Sequence, residues 1–334
     1  MSKRIYGFRF LSTLLIFVCA FILLSCTQRS GNPEIITTDP EEKQELRSSS
    51  EKEKVFPLPS LGDVFTVTSS GTEMLLVNPG VFTMGSPKDE IGREAIETQH
   101  EVTLTQGFWL GKYEITNLEW EKVMNPIDLT EEEDEVEDDA ENEDKKLQPE
   151  PYSNVVQPDF PKVKVSWIDA MDFCDKLISL EKKNGALPEN FVYDLPTEAQ
   201  WEYACRAGTV TPVSFGEVLG AGDAAIDPQR PYGAVAKARI PKRIHRVGEY
   251  KPNSWGFYDM HGNAVEWCRD FFFARYPSGT ASDPLQEKNT GLKVKRGGSF
   301  FMAGASARSA KRGSDSPNRR DDELGFRIVM VHKY

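Results

Sequence analysis

The sequence predicts a single α+β domain of low regular content, with few helices, short strands and long loops. Only three stretches combine a helix-capping residue with an apolar face, and the strand-like stretches are short. Residues 209–250 are rich in Gly, Pro and Ala and show little periodicity. A chain of 334 residues with 39% hydrophobic content suffices for one large domain or two small ones. We predict one domain over residues 71–334.

The first 25 residues predict a secretory leader. Lys3, Arg4 and Arg9 precede an apolar run over residues 10–24, which has the length of a signal-peptide core and is short for a membrane span. The run ends in the letters LLSC, which resemble the bacterial lipobox, where the cysteine is lipidated and becomes the mature N-terminus. We therefore predict lipidation of Cys26. The alternative is an uncleaved signal anchor in which this cysteine is an incidental apolar residue.

A polar tether follows the leader. Residues 27–60 are rich in Ser, Pro, Glu and Lys and have too few large apolar side chains to bury a core. We predict a disordered tether over residues 26–70 and, with a lipid on Cys26, an exported protein anchored at a membrane surface. Thr27 is not the aspartate that retains lipoproteins in the inner membrane of enteric bacteria. This favours the outer membrane or the cell surface, facing the periplasm or the outside.

The first part of the domain predicts short strands and a short helix. Residues 74–84, MLLVNPGVFTM, are typical of two strands about an Asn-Pro-Gly turn, and Glu101–Thr105 alternates like a third strand. Thr116 is a candidate N-cap for a helix over Asn117–Met124.

An acidic run interrupts the domain. The chain has a net charge of −12, and Asp128–Glu150 contains 13 acidic residues against two lysines, a net charge of −11. A block of like charges repels itself and stays solvated, so we predict a surface insert over residues 127–159. A calcium-buffering role and a basic partner are the alternatives. The rest of the chain is nearly neutral and has no basic face, which excludes nucleic acid as a partner.

Two more helices follow the insert. Ser166 is a candidate N-cap for a helix with an apolar face over residues 170–178 and an Asn-Gly stop at 184–185. The spacing of Thr197 and Gln200 predicts a capping box for the next helix, which ends near Gly208.

Three cysteines remain for the folded part if Cys19 leaves with the leader and Cys26 carries lipid. They are Cys174, Cys205 and Cys268. An odd number in an oxidising compartment allows one disulfide and one free thiol. The sequence does not indicate which two would pair.

Residues 253–270, NSWGFYDMHGNAVEWCRD, combine four aromatic rings with several oxygen-bearing side chains. Asp259 and Glu266 lie on either side of a Gly-Asn turn. Oxygens placed on a turn between buried rings converge on one point, as a hard cation such as Ca²⁺ requires. The alternative is that these carboxylates pair with arginines from elsewhere in the core.

Seven motifs occur in order along the domain. They are VNPGVFTMGS (77–86), YEITN (113–117), VSWIDAMDFC (165–174), LPTEAQWEYACRAGT (195–209), the stretch 253–270, RGGSF (296–300) and GFRIV (325–329). This succession resembles the formylglycine-generating enzyme, or sulfatase-modifying-factor, family over residues 71–331. The resemblance implies a C-type-lectin-like domain with two helices, a small twisted sheet and much coil. Relatives include copper-dependent cysteine oxidases, iron-dependent sulfoxide synthases, a pyoverdine-maturation protein and gliding-motility lipoproteins.

The resemblance also implies a calcium site. The family's ligands map onto Asp259, Gly262, Ala264 and Glu266, with carboxylates from the acids and backbone carbonyls from the other two. We predict calcium at these four residues. The family's other calcium site would lie near residues 223–227, where the match is too poor to assign ligands.

The oxidase centre of the family is altered here. In the oxidases two cysteines after RGGS bind Cu(I), since soft thiolates select that ion. Met302 and Ala307 stand at these two positions, and Val265 stands where the oxidases have a tryptophan. Ser299 matches the pocket serine, although a serine in this motif is equally a turn residue. A thioether cannot act as the redox-active thiolate, so we predict no copper-dependent formylglycine generation.

An iron centre would need two or three histidines, often with a carboxylate. The four histidines, His100, His245, His261 and His332, are far apart in sequence and show no ligand spacing. The sulfoxide synthases also carry an N-terminal helical domain for which the tether leaves no room. We predict no iron centre, and we expect His261 to face solvent as a lone loop histidine.

Basic and acidic residues alternate in the tail, residues 308–327. Its arginines either clamp an anionic ligand or pair with carboxylates inside the domain. We favour internal pairing.

Together these features predict a membrane-anchored lipoprotein whose domain lacks the oxidase centre. It would act as a non-catalytic binding or scaffolding module for a protein or glycan of the cell envelope. The alternative is a divergent oxidoreductase of the formylglycine-generating or non-haem iron family acting on a thiol or protein substrate. Loss of turnover on mutating His245 or His261 would favour that alternative.

Overall fold

Residues 63–126, 157–276 and 279–333 are described by a computed structural model of the chain. The predicted leader, Cys26, the tether up to residue 62 and residues 127–156 of the acidic insert lie outside these ranges. Within the described ranges, none of the helices has both the length and the apolar content needed to cross a lipid bilayer.

The domain contains short strands connected by long loops. The strands are β1 Val64–Thr66, β2 Glu73–Val77, β3 Gly80–Met84, β4 His100–Leu104, β5 Phe108–Gly111, β6 Phe191–Asp194, β7 Val265–Phe271, β8 Ala281–Ser282, β9 Lys293–Arg296, β10 Gly313–Asp315, β11 Leu324–Gly325 and β12 Val329–His332. The helices are α1 Asn117–Met124, α2 Trp167–Lys183 and α3 Glu198–Arg206, with a 3₁₀ turn at Gly304–Ala307.

The strands form three small sheets, ordered β1-β2-β5-β12-β6, β10-β9-β7-β11 and β3-β4-β8. The last strand, β12, lies between β5 and β6, so Met330 is opposite Trp109 on one side and Tyr193 on the other. Both ends of the domain therefore meet in the five-stranded sheet. The family resemblance implied two helices and one small sheet, whereas the described residues contain a third helix and two further sheets.

The two strands about the Asn-Pro-Gly turn occur as predicted but lie in different sheets. β2 pairs with β1 and β5, and β3 pairs with β4 and β8. Pro79 between them has no backbone N–H to donate, and the chain leaves one sheet and enters the next at this point. The third predicted strand, Glu101–Thr105, is observed as β4, one residue earlier.

All three helices begin at the predicted caps. Thr116, Ser166 and Thr197 each accept a hydrogen bond from the backbone N–H three residues on, and the side chain there bonds back to the cap's N–H. These reciprocal bonds satisfy donors that a helix start otherwise leaves unpaired. α3 ends at Ala207, which takes a left-handed conformation with φ of 47°, next to the predicted Gly208.

The strand β7 lies between two apolar clusters. Trp267 packs in the cluster formed with α2, and its Nε1 donates to the carbonyl of Val165 at 2.9 Å. Cys268, the next residue, points to the opposite side, into the cluster formed with α3 and its Trp201. This alternation is the two-residue period of a strand buried on both faces. It fixes the stretch 253–270 at the centre of the domain.

Residues 209–250 contain no helix or strand, as predicted. They bury an apolar cluster of their own, which includes Val213, Leu219, Ile226 and Tyr232 together with Ala307. The long loop is therefore held by side-chain packing, and it covers the segment that follows the RGGS motif.

Candidate functional site

An open groove of about 280 Å³ lies where β9 ends in the RGGS motif. Val265 of β7, Gly297, Gly298 and Met302 are among its walls. Gly298 has φ of 72°, and a Cβ there would lie 2.9 Å from the carbonyl oxygen of Ser306. Only glycine combines this conformation with so close an approach. The motif thus brings the segment with the two former cysteine positions against the end of β9.

The structure places Met302 and Ala307, the two positions that the family resemblance assigns to cysteines, in different surroundings. Met302 is half-buried, lines the groove and packs against the cluster that contains Val265. Ala307 is fully buried in the cluster under the long loop, and its carbonyl accepts a hydrogen bond from Nδ1 of His261 at 2.7 Å. A thioether and a methyl group thus stand where two thiolates would be needed for Cu(I).

The hydroxyl of Ser299 takes part in the turn. Its Oγ donates a short hydrogen bond to the carboxylate of Glu323 and accepts one from the backbone N–H of Phe301 at 3.3 Å. The side chain is fully buried. These contacts fit the interpretation of Ser299 as a turn residue.

Two aromatic residues, Phe300 and Phe301, lie in the chain between the groove residues Gly298 and Met302. Phe300 is half-buried, and Phe301 is 56% exposed although its ring is large and apolar. The ammonium group of Lys242 lies 4.8 Å from the ring centroid of Phe301. Sequence reasoning read these phenylalanines only as part of the RGGSF motif and did not single them out. An exposed aromatic ring such as that of Phe301 is typical of protein-binding surfaces.

Charged groups beneath the groove form a buried ion network on α3. Glu198, Glu202 and Arg206 recur every four residues and therefore share one face of the helix. Glu202 pairs with Arg206 at 2.8 Å and with Arg296 at 2.5 Å. Burial alone raises the pKa of Glu198 and Glu202, but the neighbouring arginines outweigh burial and hold both values below normal. The carboxylates stay ionised and paired, as in a structural network.

The tail arginines pair inside the domain, as favoured from the sequence. Arg308, Arg312 and Arg327 are buried, and each makes an ion pair with a buried glutamate. The wall cations of the groove are also paired, since Lys295 lies 3.1 Å from Asp315 and Lys311 contacts Glu94. These contacts leave none of the five cations available to clamp an anionic ligand without breaking an existing pair.

The carboxylate of Glu266 is bound by an arginine side chain of the domain. Its two oxygens each lie 2.6 Å from a guanidinium nitrogen of Arg327, and Oε2 also accepts from Nε1 of Trp201 at 2.7 Å. All three side chains are fully buried. This is the alternative in which the carboxylates of the stretch 253–270 pair with arginines from the core.

The other predicted calcium ligands also have protein partners. Oδ2 of Asp259 accepts from the backbone N–H of Gly248 at 2.7 Å, and the N–H of Ala264 donates to Oε1 of Glu114 at 2.8 Å. Gly262 has φ of 120°, and a Cβ there would lie 2.3 Å from a carbonyl oxygen. In the described ranges no three His, Cys, Asp or Glu side chains are arranged to hold a metal. These contacts occupy the carboxylates of Asp259 and Glu266 and do not involve the carbonyl oxygens of Gly262 and Ala264, so calcium at these four residues stays a prediction.

Glu114, in the motif YEITN, is a site residue that sequence reasoning missed. It is buried, and burial together with the charges of Asp259 and Glu266 raises its pKa well above normal. Burial also raises the pKa of Asp259 to about 6. The carboxyl groups of these three residues therefore share one guanidinium, that of Arg327. Proton uptake by the carboxyls reduces the surplus negative charge. The only sequence signal was an acid between a predicted strand and a predicted cap.

The expectation that His261 faces solvent is wrong. The ring is 2% exposed because the loop 209–250 packs over it. Its Nε2 accepts from the backbone N–H of Ser214 at 3.0 Å, while Nδ1 donates to Ala307. Burial lowers its pKa to about 4, so the imidazole is neutral. The Cys205 sulfur lies 3.7 Å from Nε2, but burial raises the pKa of that thiol to about 12, which keeps it an inert thiol.

The remaining candidate residues are dispersed. His100 lies against Tyr276, His332 against Phe191, and Nδ1 of His245 is 2.9 Å from Glu249. The structure brings no two histidines into one of these contacts. Three buried cysteines, Cys174, Cys205 and Cys268, are free thiols, so the one disulfide that the count allowed is not formed among them. Burial raises the pKa of all three.

A second cavity, of about 250 Å³, is lined mainly by apolar residues such as Met84, Phe271 and Leu285, and it shares Arg312 with the groove at the RGGS motif. Asp270 borders it and accepts backbone hydrogen bonds from Glu198 and Gln286. Burial, with the nearby charge of Glu198, raises the pKa of Asp270 to about 7. His100, Glu198 and Tyr276 also line this cavity, but Glu198 is ion-paired with Arg312 at 2.7 Å. Among the described residues no three His, Cys, Asp or Glu side chains are arranged here to hold a metal.

Comparisons with known proteins cover most of the chain. The sequence pattern of the sulfatase-modifying factor enzyme 1-like domain matches residues 61–331. The formylglycine-generating enzyme of Bos taurus is 26% identical over 306 residues, which cover 79% of this chain and 76% of that enzyme. Chaperone protein LppX of Paenibacillus barcinonensis is 25% identical over 301 residues, which cover 78% of this chain and 90% of that protein.

Among solved structures, PvdO of Pseudomonas aeruginosa superposes with a TM-score of 0.62 at 28% sequence identity. The alignment covers 82% of this chain and 99% of PvdO. The similarity therefore extends over nearly the whole of the described domain.

Proposed function

Because the chain belongs to the sulfatase-modifying factor enzyme 1-like family, we propose that it is a non-catalytic member of that family which binds a protein partner at a membrane surface. The family match and the likeness to PvdO confirm the predicted family and fold class, an α+β domain of the C-type-lectin-like kind. The relatives include enzymes. The proposal is that this chain itself is not one.

The observation that carries the proposal is the pair Met302 and Ala307 at the positions of the copper-binding cysteines. Neither side chain ionises to a thiolate, and Ala307 is sealed in an apolar cluster. The three cysteines elsewhere in the described domain are buried with raised pKa values, so none is poised to replace them. The groove that remains is open, and the residue before its wall residue Met302 in the chain, Phe301, has an exposed aromatic ring. These features support binding in place of oxidation.

Two further observations support the membrane and partner parts of the proposal. The letters LLSC end the apolar leader, which suits a lipid anchor on Cys26. A relative that aligns over most of this chain is named a chaperone and not an oxidase. A partner that presents an apolar or aromatic side chain would fit the groove beside Phe301.

Catalysis is tested with a peptide carrying a cysteine in a sulfatase-type motif. The mature protein, supplied with Cu(I), oxygen and reductant, is expected to leave the peptide mass unchanged, while the formylglycine-generating enzyme of Bos taurus converts it in parallel. Conversion of the cysteine to an aldehyde by this protein would overturn the proposal. It would favour the alternative, a divergent oxidoreductase, for which the similarity to that enzyme is the supporting observation.

Binding is tested by photo-crosslinking in membranes with a benzophenone amino acid in place of Phe301. We expect one discrete protein adduct that disappears when Met302→Glu places a charge in the groove. The matched control is the same probe at Phe273, which is 47% exposed and lies away from the groove. An adduct of equal yield from both positions, or none from Phe301, would contradict a binding role for the groove.

A further inference from the structure

A loop with only positive charges lies on the surface of the domain. We define the basic loop as residues 235–248, which contain no Asp or Glu. Its basic residues are Lys237, Arg239, Lys242, Arg243 and Arg246. All five are exposed.

The backbone of the basic loop is fixed to the domain at several points. The N–H of Ala238 donates to the carbonyl of Pro228 at 2.9 Å, and the N–H of His245 donates to Oδ1 of Asn263 at 3.0 Å. The N–H of Val247 donates to the carbonyl of Asp159 at 3.0 Å. The loop has no helix or strand, yet these bonds hold its cations in a defined place.

Most of the positive charge is uncompensated. Lys242 pairs with Asp227 at 2.8 Å and Arg246 with Asp159 at 3.1 Å. Lys237, Arg239 and Arg243 have no ion pair or hydrogen bond to the part of the chain that the structure describes. A lone exposed cation is ordinary, but three within seven residues, with no acid between Lys237 and Gly248, create a local positive potential that attracts anions.

Part of the basic loop forms an open groove of about 550 Å³, which we call the basic groove. Arg243, His245 and Arg246 line it together with Gln157, Phe160 and one acid, Glu249, which lies 2.9 Å from Nδ1 of His245. Gln157 is the first described residue after the segment 127–156. The chain therefore enters the described domain through the wall of the basic groove.

The segment that arrives there is the acidic run. Asp128–Glu150 has a net charge of −11, and its last acid precedes Gln157 by seven residues. An extended chain of that length spans at most about 25 Å, which is the greatest distance that can separate the last acid of the run from Gln157. A tethered ligand of this kind experiences an effective concentration of about millimolar order, without any further contact.

We propose that the acidic segment Asp128–Glu150 binds the basic loop of its own domain. The charges are of opposite sign, the three unpaired cations have no other partner in the described domain, and the segment is covalently delivered to the groove. The contact is electrostatic and therefore salt-dependent, because the Debye length falls from about 10 Å at 0.1 M salt to about 3 Å at 1 M. An external acidic protein would compete with the segment for the same loop.

The test is carbodiimide crosslinking of the full chain, which joins lysines to carboxylates without a spacer, followed by peptide mass spectrometry. We expect Lys237 and Lys242 to be joined to the run Asp128–Glu150 at low salt, and these crosslinks to be lost in about 1 M salt. The exposed Lys183 and Lys288 serve as internal controls and should give no such products. Mixing ¹⁴N- and ¹⁵N-labelled protein separates crosslinks within a chain from those between chains.

A charge-reversal variant sharpens the test. Lys237→Glu/Arg239→Glu/Arg243→Glu changes only exposed, unpaired side chains and should reduce the Lys242 crosslinks by about tenfold, since electrostatic attraction to the loop is removed. The control Lys88→Glu/Lys183→Glu/Lys288→Glu changes the net charge equally and should leave them unchanged.

Three results would overturn the proposal. Crosslinks of undiminished yield in the charge-reversed loop would show that proximity alone produces them. Products that join differently labelled chains would make a second copy the occupant. Absence of loop crosslinks, combined with salt-sensitive binding of the chain to anionic lipid vesicles, would assign the loop to a membrane surface.

Discussion

At positions 302 and 307 the chemistry of two side chains decides what the groove can do. Met302 offers a thioether, a weak ligand that does not ionise, and Ala307 offers no donor atom. The methyl group of Ala307 is closely surrounded, since that residue lies fully buried among the apolar side chains under the long loop. At the second position that the family resemblance assigns to a cysteine, the chain therefore has an apolar side chain packed into the interior.

Asp270 provides a prediction about pH. Its pKa is about 7 in the folded state against 3.8 unperturbed, because burial disfavours the charged form. Between these two values the folded protein retains a proton that the unfolded chain has lost, so the free energy of unfolding decreases as pH rises from about 4 to about 7. We expect this single group to contribute a slope of about 1.4 kcal/mol per pH unit.

Urea denaturation of Asp270→Asn from pH 4 to pH 8 measures that contribution. The difference in pH dependence between wild type and variant isolates Asp270. The opposing effect of His261 and the parallel effect of Asp259 are the same in both proteins, so they cancel in the difference. The variant should show the shallower pH dependence, whereas Asp172→Asn on the exposed face of α2 serves as the control. Equal slopes for wild type and Asp270→Asn would show that this carboxyl titrates normally in the folded protein.

The ion pair between Glu266 and Arg327 provides a second prediction. Arg327→Met leaves a buried carboxylate without its partner, which costs about 3–5 kcal/mol of unfolding free energy. Calcium should not change the melting temperature of the wild-type protein, because both oxygens of Glu266 are already occupied. Thermal melts with calcium and with chelator measure this, and the exposed pair variant Arg319→Met is the control, with little effect expected. A calcium-dependent rise in melting temperature that is lost in Glu266→Gln would restore the predicted calcium site.

At the scale of elements, local signals predicted the helices well. A cap bond joins residues three apart, so the letters T-x-x-E, S-x-x-D and T-x-x-Q contain the whole interaction, and each marks a helix start in the structure. Strand pairing is not local. Nothing in residues 74–84 indicates that β2 and β3 enter separate sheets, because their partners are contributed by distant parts of the chain.

The cap of α2 is a testable element. Ser166→Ala removes the acceptor for the N–H of Asp169 and should lower the unfolding free energy by about 1 kcal/mol. Ser179→Ala, on the exposed side of the same helix, is the matched control and should change it much less. Urea denaturation of both variants measures the difference, and equal losses would show that the capping box does not stabilise the domain.

The same distinction between local and distant contacts applies to the site. The sequence indicated the RGGS turn and the two positions assigned to cysteines, because a short motif defines the turn and a count of residues from Ser299 defines the positions. The sequence did not indicate three other features, which are the burial of His261 under residues 209–250, the raised pKa of Glu114 and the pairing of Glu266 with Arg327. Each depends on a partner that is remote in sequence, and only the folded chain brings the partner close.

For the whole molecule, the anchor is the first matter to test. Expressed in a bacterium that processes lipoproteins, the full chain should fractionate with membranes and incorporate radiolabelled palmitate. Cys26→Ser should abolish the label and release the protein from the membrane fraction, because no other residue offers the thiol for lipidation at the end of the leader. Cys19→Ser, within the leader, is the control. A palmitate label that persists in Cys26→Ser would contradict the lipobox interpretation.

The central claim is that the family's oxidase centre is absent and that the domain acts by binding. It is tested most directly by elemental analysis of the mature protein after separate loading with copper and iron and removal of excess metal, together with oxygen consumption in the presence of thiol peptides. We predict metal contents far below one per chain and no oxygen uptake above the protein-free rate. Copper or iron retained at about one per chain, with thiol-dependent oxygen uptake, would contradict the account and identify the chain as an oxidoreductase that uses ligands other than the cysteine pair.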